Sequence, residues 1–305
     1  MDEKRNEKNW TAPEITGQIP QADMPGDKVR IGEEHIRKAG VIYPMLREMI
    51  CERGGARTVV AVCGGSGVGK SEIASVLAYY FNCEGTGAYV MSGDNYPRRI
   101  PRDNDNERLR VFRTGGLRGL VAAGMINDGI SRELRRLWKE DRDADPGREA
   151  EWLRVYQRAG RRALTGYLGT PEETDFDEVS GILAAFHQGN EKIPLKRMGR
   201  EPDELWYDTE DFSKVRVLIL EWTHGNSDCL EGVDIPVLLN STPAETLEHR
   251  KARNRDGKTD SAFTTMVLEI EQRKLEAQAH KAGIILSKQG ELLSYREYRR
   301  LMAEE

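Results

Sequence analysis

The chain has 305 residues, 32% of them charged, and a formal net charge of −5. That length allows one large α/β domain or two smaller ones, and the acidic balance gives no reason to expect nucleic acid or an anionic membrane as a partner. The longest apolar runs are five or six residues, against the ~18–20 that a membrane helix needs, and the charged start MDEKRNEKNW lacks the apolar core of a secretory signal.

Residues 1–28 carry Pro13, Pro20 and Pro25 and little periodicity, which predicts an extended or mobile arm ahead of a single domain over 29–305. Glu33 to Glu52 places Ile36, Val41, Ile42, Met45, Leu46 and Met49 at helical spacing. Gly54-Gly55 ends that helix and hands over to a strand, Thr58 to Cys63. The strand enters VVAVCGGSGVGKS, a G-x-x-x-x-G-K-S loop that leaves into a helix over Ser71 to Phe81. Gly64, Gly65, Gly67 and Gly69 leave room for phosphate oxygens, and the backbone of Ser66 and Val68 completes the loop. Inward N–H groups and the helix N-terminus then hold the anion, Lys70 reaches the β/γ-phosphates, and the Ser71 hydroxyl holds Mg²⁺. This is a nucleotide-phosphate site.

Ala88 to Ser92 reads as a second buried parallel strand, which puts Asp94 of Gly93-Asp94-Asn95-Tyr96 at its carboxyl end, where open parallel sheets bind ligands. Arg98 to Arg118 holds seven arginines against three acids, a local net of +4. Two readings stay open: an internally paired helix face, or arginines that hold an anionic group on a substrate. Residues 119–169 predict a helical insertion in two or three pieces, Ser131 to Glu140 and Ala150 to Leu168 among them, packed over the sheet's edge. A short helix follows from Glu178 to His187, and Gly189 to Asp208 reads as irregular.

Val215 to Leu220 is a third strand with Glu221 at its carboxyl end, and Asp234 to Asn240 a fourth, with Pro236 suited to an edge or a strand start. Pro243 to Arg255 reads as a helix that turns basic, and Asp260 or Ser261 caps another helix to about His280. Gly283 to Ser287 is the fifth strand, with Gln289-Gly290 a turn into Leu292-Leu293. Strands alternating with helices predict a doubly wound α/β sheet of about five parallel strands, helices on both faces. Cysteines 51, 63, 83 and 229 lie far apart without a C-x-x-C pair, as expected of reduced thiols in a cytoplasmic protein. Five scattered histidines leave no metal cluster.

Asp94 lies 24 residues after Lys70, where a carboxylate can accept the proton of an attacking hydroxyl or hold a water of Mg²⁺. Glu221 stands where a strand-end acid near Mg²⁺ belongs. Arginines of the basic run 250–255 can close over the nucleotide as a lid, neutralising charge and excluding water.

Together these pieces, over roughly residues 57 to 287, resemble the uridine kinase / phosphoribulokinase / pantothenate kinase family of phosphate-loop kinases. GGSGVGKS is similar to that family's loop, Asp94-Asn95-Tyr96 to its D-x-[FY] element, and Asp175-Phe176-Asp177 to its acceptor-side stretch. Leu218 to Glu221 resembles its strand ending in glutamate, and Arg250 and Arg253 its lid over 250–260. The resemblance implies an ATP- and Mg²⁺-dependent kinase that phosphorylates a hydroxyl of a small metabolite. Asp94 would be the base, Ser71 and Glu221 would position Mg²⁺, and Arg253 with Arg250 or Arg255 would close over the transferring group. Tyr96, Arg98, Arg99, Asp177 and His224 would face the acceptor, and the arginine cluster favours one bearing a carboxylate or phosphate. A uridine-type nucleoside kinase, an adenylylsulfate-kinase-like enzyme and a nucleotide-dependent regulator remain alternatives, and a homodimer is left open. Two departures stand out: Trp222 occupies the place of the family's usual glycine after the glutamate, and Arg253-Asn254 stands where arginine-aspartate is usual.

Overall fold

The computed structural model describes residues 10–26, 29–147, 150–242, 245–246 and 261–304. Its frame is one sheet whose strands lie in the spatial order β2 (Gly87–Ser92), β5 (Val215–Glu221), β1 (Thr58–Gly64), β6 (Ile235–Leu239), β7 (Ile284–Leu286) and β8 (Leu292–Leu293). The first five are parallel, as the alternation of strands and helices predicts, and β8 pairs antiparallel to β7. Leu292-Leu293 is thus a sixth strand.

The apolar runs are continuous because both sheet faces are covered. Val60 and Val62 of β1 pack with Val217 and Ile219 of β5 against α1 (Glu33–Arg53) and α2 (Lys70–Cys83). Val59, Ala61, Leu218 and Leu220 point the other way, onto α6 (Phe176–His187). Each such fully buried valine, leucine or isoleucine contributes roughly 1.5–3 kcal/mol. Pro236 lies on an interior strand, not an edge. It is the second residue of β6, and the ladder there uses its carbonyl, which accepts from Gly283 at 2.9 Å.

Between β2 and α6 lie α3 (Pro101–Ala122), α4 (Asp128–Lys139) and α5 (Glu151–Thr165). In this insertion Phe112, Leu134, Leu153 and Tyr156 close on Met266, Val267 and Ile270 of α7 (Ala262–Gln278). Ser261 caps that helix, accepting from the Thr264 N–H at 3.0 Å. The stretch expected to be irregular forms a hairpin, β3 (Lys192–Met198) antiparallel to β4 (Leu205–Asp211). Prolines and charge mask its alternation, in which Ile193 and Leu195 enter the core while Lys196 and Arg197 are buried with partners. The C-terminal helix α8 (Tyr295–Glu304) has no counterpart among the predicted elements.

The arm expected to be extended is docked over its described part. Trp10 packs tilted against Tyr43 and edge-on against Tyr80, with ring centroids 4.8 and 5.3 Å away, and its indole N–H donates to Glu84 at 3.0 Å. Farther along, the Tyr79 hydroxyl donates to the Glu14 carbonyl at 3.1 Å. No helix among the described residues is long and apolar enough to cross a membrane.

Candidate active site

β1 ends in the glycine-rich loop and α2 begins at Lys70. Gly64 has φ 151°, and a methyl there would lie 2.5 Å from the Leu239 carbonyl oxygen of β6, so only glycine lets loop and strand approach. Between exposed Ser66 and buried Val68 the loop turns at Gly67, whose φ is 80°. Gly69 caps α2 at φ 94°, and the Gly69 carbonyl accepts the Ile73 N–H at 2.9 Å to open the helix. Val68 anchors the loop in the core, and the Lys70 ammonium folds back to donate to the Gly65 carbonyl at 3.3 Å. Ser71 is buried on the first turn of α2. Gly65 and Ser66 form one wall of a narrow cleft whose other wall is Ser241, Thr242, Glu271 and Gln272.

Register brings the two candidate acids to the same edge. Glu221, 4% exposed, pairs with Val62 of β1 on one side and Ser92 of β2 on the other. One residue after Ser92 a single 3₁₀ turn, Gly93–Asn95, exposes Asp94 at the sheet's carboxyl edge. The Asp94 N–H donates to the Ser92 hydroxyl at 3.4 Å.

Trp222 fits because Gly93 has no side chain: a methyl on Gly93 would sit 2.0 Å from Trp222 Cγ. Behind the indole lie Phe176 and His224, at centroid distances of 5.1 and 5.4 Å. Burial, aided by Arg108, Lys274 and Lys70 and opposed by Glu173, lowers His224 to about 4. The imidazole is therefore neutral near pH 7 and can exchange hydrogen bonds with a hydroxyl.

Five of the seven arginines are held by partners within the protein, most of them outside residues 98–118. Arg98 donates to Asp175 at 2.9 Å and to the Pro171 carbonyl at 2.5 Å, and Arg99 to the Tyr167 hydroxyl at 3.0 Å. Arg110 forks onto Glu107 at 2.6 Å, and Arg113 onto Asp143 at 3.0 and 3.1 Å. Arg108 reaches Glu173 at 2.5 Å and Glu271 at 3.7 Å. The expectation that these arginines hold an anionic acceptor loses its support here, because carboxylates, carbonyls and a hydroxyl already engage them. Tyr96 also departs from its expected role. It is fully buried beneath Lys196, whose backbone N–H its hydroxyl accepts at 3.3 Å, so it walls the core and cannot touch an acceptor. Asp177 is exposed on the first turn of α6, next to Phe176. Arg250, Arg253 and Arg255 lie outside the described residues.

The structure adds acids that the sequence reading missed. Glu173, 1% exposed, accepts from Arg108, from Asn104 at 3.3 Å and from the Gly169 N–H at 2.6 Å. Burial pushes its pKa up, but Arg108 and the Gly169 N–H more than offset this and hold it below the usual carboxylate range. Burial raises Glu271, with Arg108 and Lys70 opposing and the charges of Glu173 and Asp94 adding to the rise. Burial lowers Lys274, against the attraction of Glu173 and Glu271. Glu271 thus feels the charges of Arg108, Glu173, Lys70 and Asp94, and His224 those of Glu173, Arg108, Lys274 and Lys70. No spacing in the sequence marks Glu173 or Glu271, which come from a loop and a distant helix.

Among the described residues no three histidines, cysteines, aspartates or glutamates converge on a metal position. Mg²⁺ is held by one or two protein oxygens together with phosphates and water. The buried Ser71 hydroxyl and Glu221 carboxylate are donors of the right hardness. Cys63, with burial pushing its thiol up to about 12, is inert.

No family model matches the chain. It is 40% identical over 255 residues, 84% of its length, to the bifunctional alpha-galactosidase/sucrose kinase AgaSK of Mediterraneibacter gnavus, and it spans 23% of that relative. Among solved structures it is similar to a protein described as a fructose transport system kinase from Silicibacter sp. TM1040, at 17% identity and a TM-score of 0.48, covering 79% of this chain and 94% of that one. It is also similar to the D-glycerate 3-kinase of Cryptococcus neoformans var. grubii, at 11% identity and a TM-score of 0.47, covering 86% and 98%. A protein described as a uridine kinase, from Bacillus stearothermophilus, gives 14% identity and a TM-score of 0.38 over 79% and 98%.

Proposed function

We propose that this chain is an ATP- and Mg²⁺-dependent kinase that transfers the γ-phosphoryl group to a hydroxyl of a small, neutral sugar, with sucrose the first candidate. The observation that carries the transferase reading is the meeting of the phosphate loop with Asp94 and Glu221 at the ends of neighbouring strands. The sugar reading is supported by the relative named a sucrose kinase and by the paired state of Arg98, Arg99, Arg108, Arg110 and Arg113, which favours an uncharged acceptor over an anionic one.

In this reading the loop N–H groups and Lys70 bind the phosphates, with Ser71 and Glu221 holding Mg²⁺ directly or through water. The ion, when bound, offsets negative charge on the phosphates. Asp94 accepts the proton of the acceptor hydroxyl, which needs only an exposed carboxylate at the sheet's edge. In this reading neutral His224 and exposed Asp177 share hydrogen bonds with other hydroxyls of the sugar. Arg253, with Arg250 or Arg255, closes over the transferring group.

The test is ADP release by the purified protein with ATP and Mg²⁺ against sucrose, other sugars, sugar phosphates, D-glycerate and uridine. Sucrose or a close relative is expected to stimulate release. Asp94→Asn is expected to lower kcat by roughly 10²–10⁴ while ATP affinity holds. Stimulation by sugar phosphates or glycerate alone restores the anionic acceptor, and by uridine alone the nucleoside kinase. If no acceptor stimulates turnover and nucleotide instead changes affinity for a protein partner, the chain is a regulator.

A further inference from the structure

The described part of the N-terminal arm reaches the edge that carries Asp94, and it does so through one buried carboxylate. Asp23 is 7% exposed at its side chain. Its Oδ1 accepts the Ser92 N–H at 2.7 Å and the Asn95 amide at 3.1 Å, the residues either side of Gly93-Asp94. Its Oδ2 accepts the Tyr89 hydroxyl at 3.1 Å and Arg197 Nη1 at 2.9 Å. Arg197 in turn reaches Glu210 at 2.6 Å and Asp208 at 3.3 Å, which ties the arm to the β3–β4 hairpin. On the far side of the turn, the Asn95 Oδ1 accepts the Met198 N–H of β3 at 3.1 Å. The backbone around Asp94 is therefore held from two directions, by the arm and by the hairpin, and both holds meet at Asp23 and Asn95.

This arrangement is costly unless position matters. A buried carboxylate repays its lost hydration only when its hydrogen bonds are complete, and here all four are directed. Burial pushes the Asp23 pKa up, with the Ser92 N–H and Arg197 opposing it. A methyl-bearing side chain could fill the same space. What it could not do is fix Ser92 N and Asn95 Nδ2 on one acceptor and so set the angle at which the intervening turn presents its carboxylate.

We infer that Asp23 is a positioning residue for the phosphoryl transfer proposed above: the arm is part of the catalytic apparatus because its carboxylate fixes the Gly93–Asn95 turn that aims Asp94. The inference rests on Asp94 being the base. A misplacement of about 1 Å at a reacting group costs up to roughly a hundredfold in rate, so Asp23→Asn is expected to lower kcat with sucrose by roughly ten- to a hundredfold. The KM for ATP stays unchanged, because the phosphate loop is untouched. A merely structural role would lower thermal stability and leave kcat per folded molecule as it was.

The decisive measurement combines Asp23→Asn with Asp94→Asn. If Asp23 acts through Asp94, its replacement costs nothing further once Asp94 is gone, and the two losses fail to add. Hydrogen exchange over 92–97 gives a second readout that needs no acceptor, and it is expected to quicken in Asp23→Asn while exchange over 64–71 holds. Should Asp23→Asn not fold, Tyr89→Phe removes one hydroxyl from the same carboxylate and is expected to lower kcat roughly two- to threefold, following the same logic. Full kcat in Asp23→Asn with an inactive Asp94→Asn overturns the inference and spares the kinase reading. Fully additive losses do the same. An Asp94→Asn variant that turns over normally removes the base assignment and with it this inference, while the turnover itself upholds the kinase reading.

Discussion

Replacing Gly93 by alanine tests how the departure at Trp222 is accommodated. A methyl on Gly93 meets Trp222 at 2.0 Å from Cγ, 2.3 Å from Cδ2 and 2.4 Å from Cδ1, where carbon atoms rest about 3.5–4.0 Å apart. The indole cannot retreat. It is 3% exposed, with Phe176 and His224 behind it. Relief must come from the backbone of the turn, and overpacking of this kind costs about 1–3 kcal/mol. With an overlap this deep the upper end applies, and a loss near 3 kcal/mol lowers Tm by roughly 4–6 °C in a chain of this size. Since the displaced turn carries Asp94, kcat with the acceptor falls at least about tenfold although no catalytic group has changed. Thermal denaturation and ADP release measure the two effects. Trp222→Leu in the Gly93→Ala background is expected to recover about 1 kcal/mol or more, because the two changes share one contact. An unaltered Tm for Gly93→Ala, or a Trp222→Leu change that only deepens the loss, would refute the argument.

Glu173→Gln leaves Arg108 with Glu271 at 3.7 Å and Asp105 at 3.5 Å, so the cost in a urea titration is about 2–3 kcal/mol, below that of a fully orphaned buried charge. No change in the midpoint would mean that the Glu173 contacts are dispensable. His224 titrates near 6.5 in the unfolded chain and at about 4 in the folded one. Between those values the unfolded chain binds more protons, so stability is fully present above pH 6.5 and falls as pH drops through the window, by at most about 3 kcal/mol at pH 4. The difference in urea midpoint between wild type and His224→Gln, followed from pH 7 to pH 4, is expected to shrink or reverse by that amount. Parallel curves would show that the imidazole is not held neutral.

Much of this site is legible in the chain because its parts are local. The loop from Gly64 to Ser71 needs only a strand before it, a helix after it and glycines where the backbone turns, and all three lie within fifteen residues of each other. Asp94 and Glu221 are visible for a related reason. A strand end is marked by where an apolar run stops, and a parallel sheet gathers such ends along one edge. Strand order and the antiparallel β8 are not local properties, and the Lys192–Asp211 hairpin is hidden by its prolines and charges.

The acceptor side depended wholly on how the chain folds back on itself. Seven arginines in a row of twenty-one residues read equally well as an anion trap or as a paired surface, because pairing depends on acids such as Glu173, Asp175 and Glu271 that the fold supplies from elsewhere. Tyr96 looks like a ligand contact and is a core side chain, since which face of the turn it takes is decided by the hairpin packed above it. An arm with no periodicity carries the carboxylate that holds the turn of Asp94, and nothing within residues 10–26 announces it. The donor half of the site is thus written in the order of the residues, through short-range backbone chemistry. The acceptor half exists only once the chain has folded, because charge is neutralised and side chains are aimed by partners many tens of residues away.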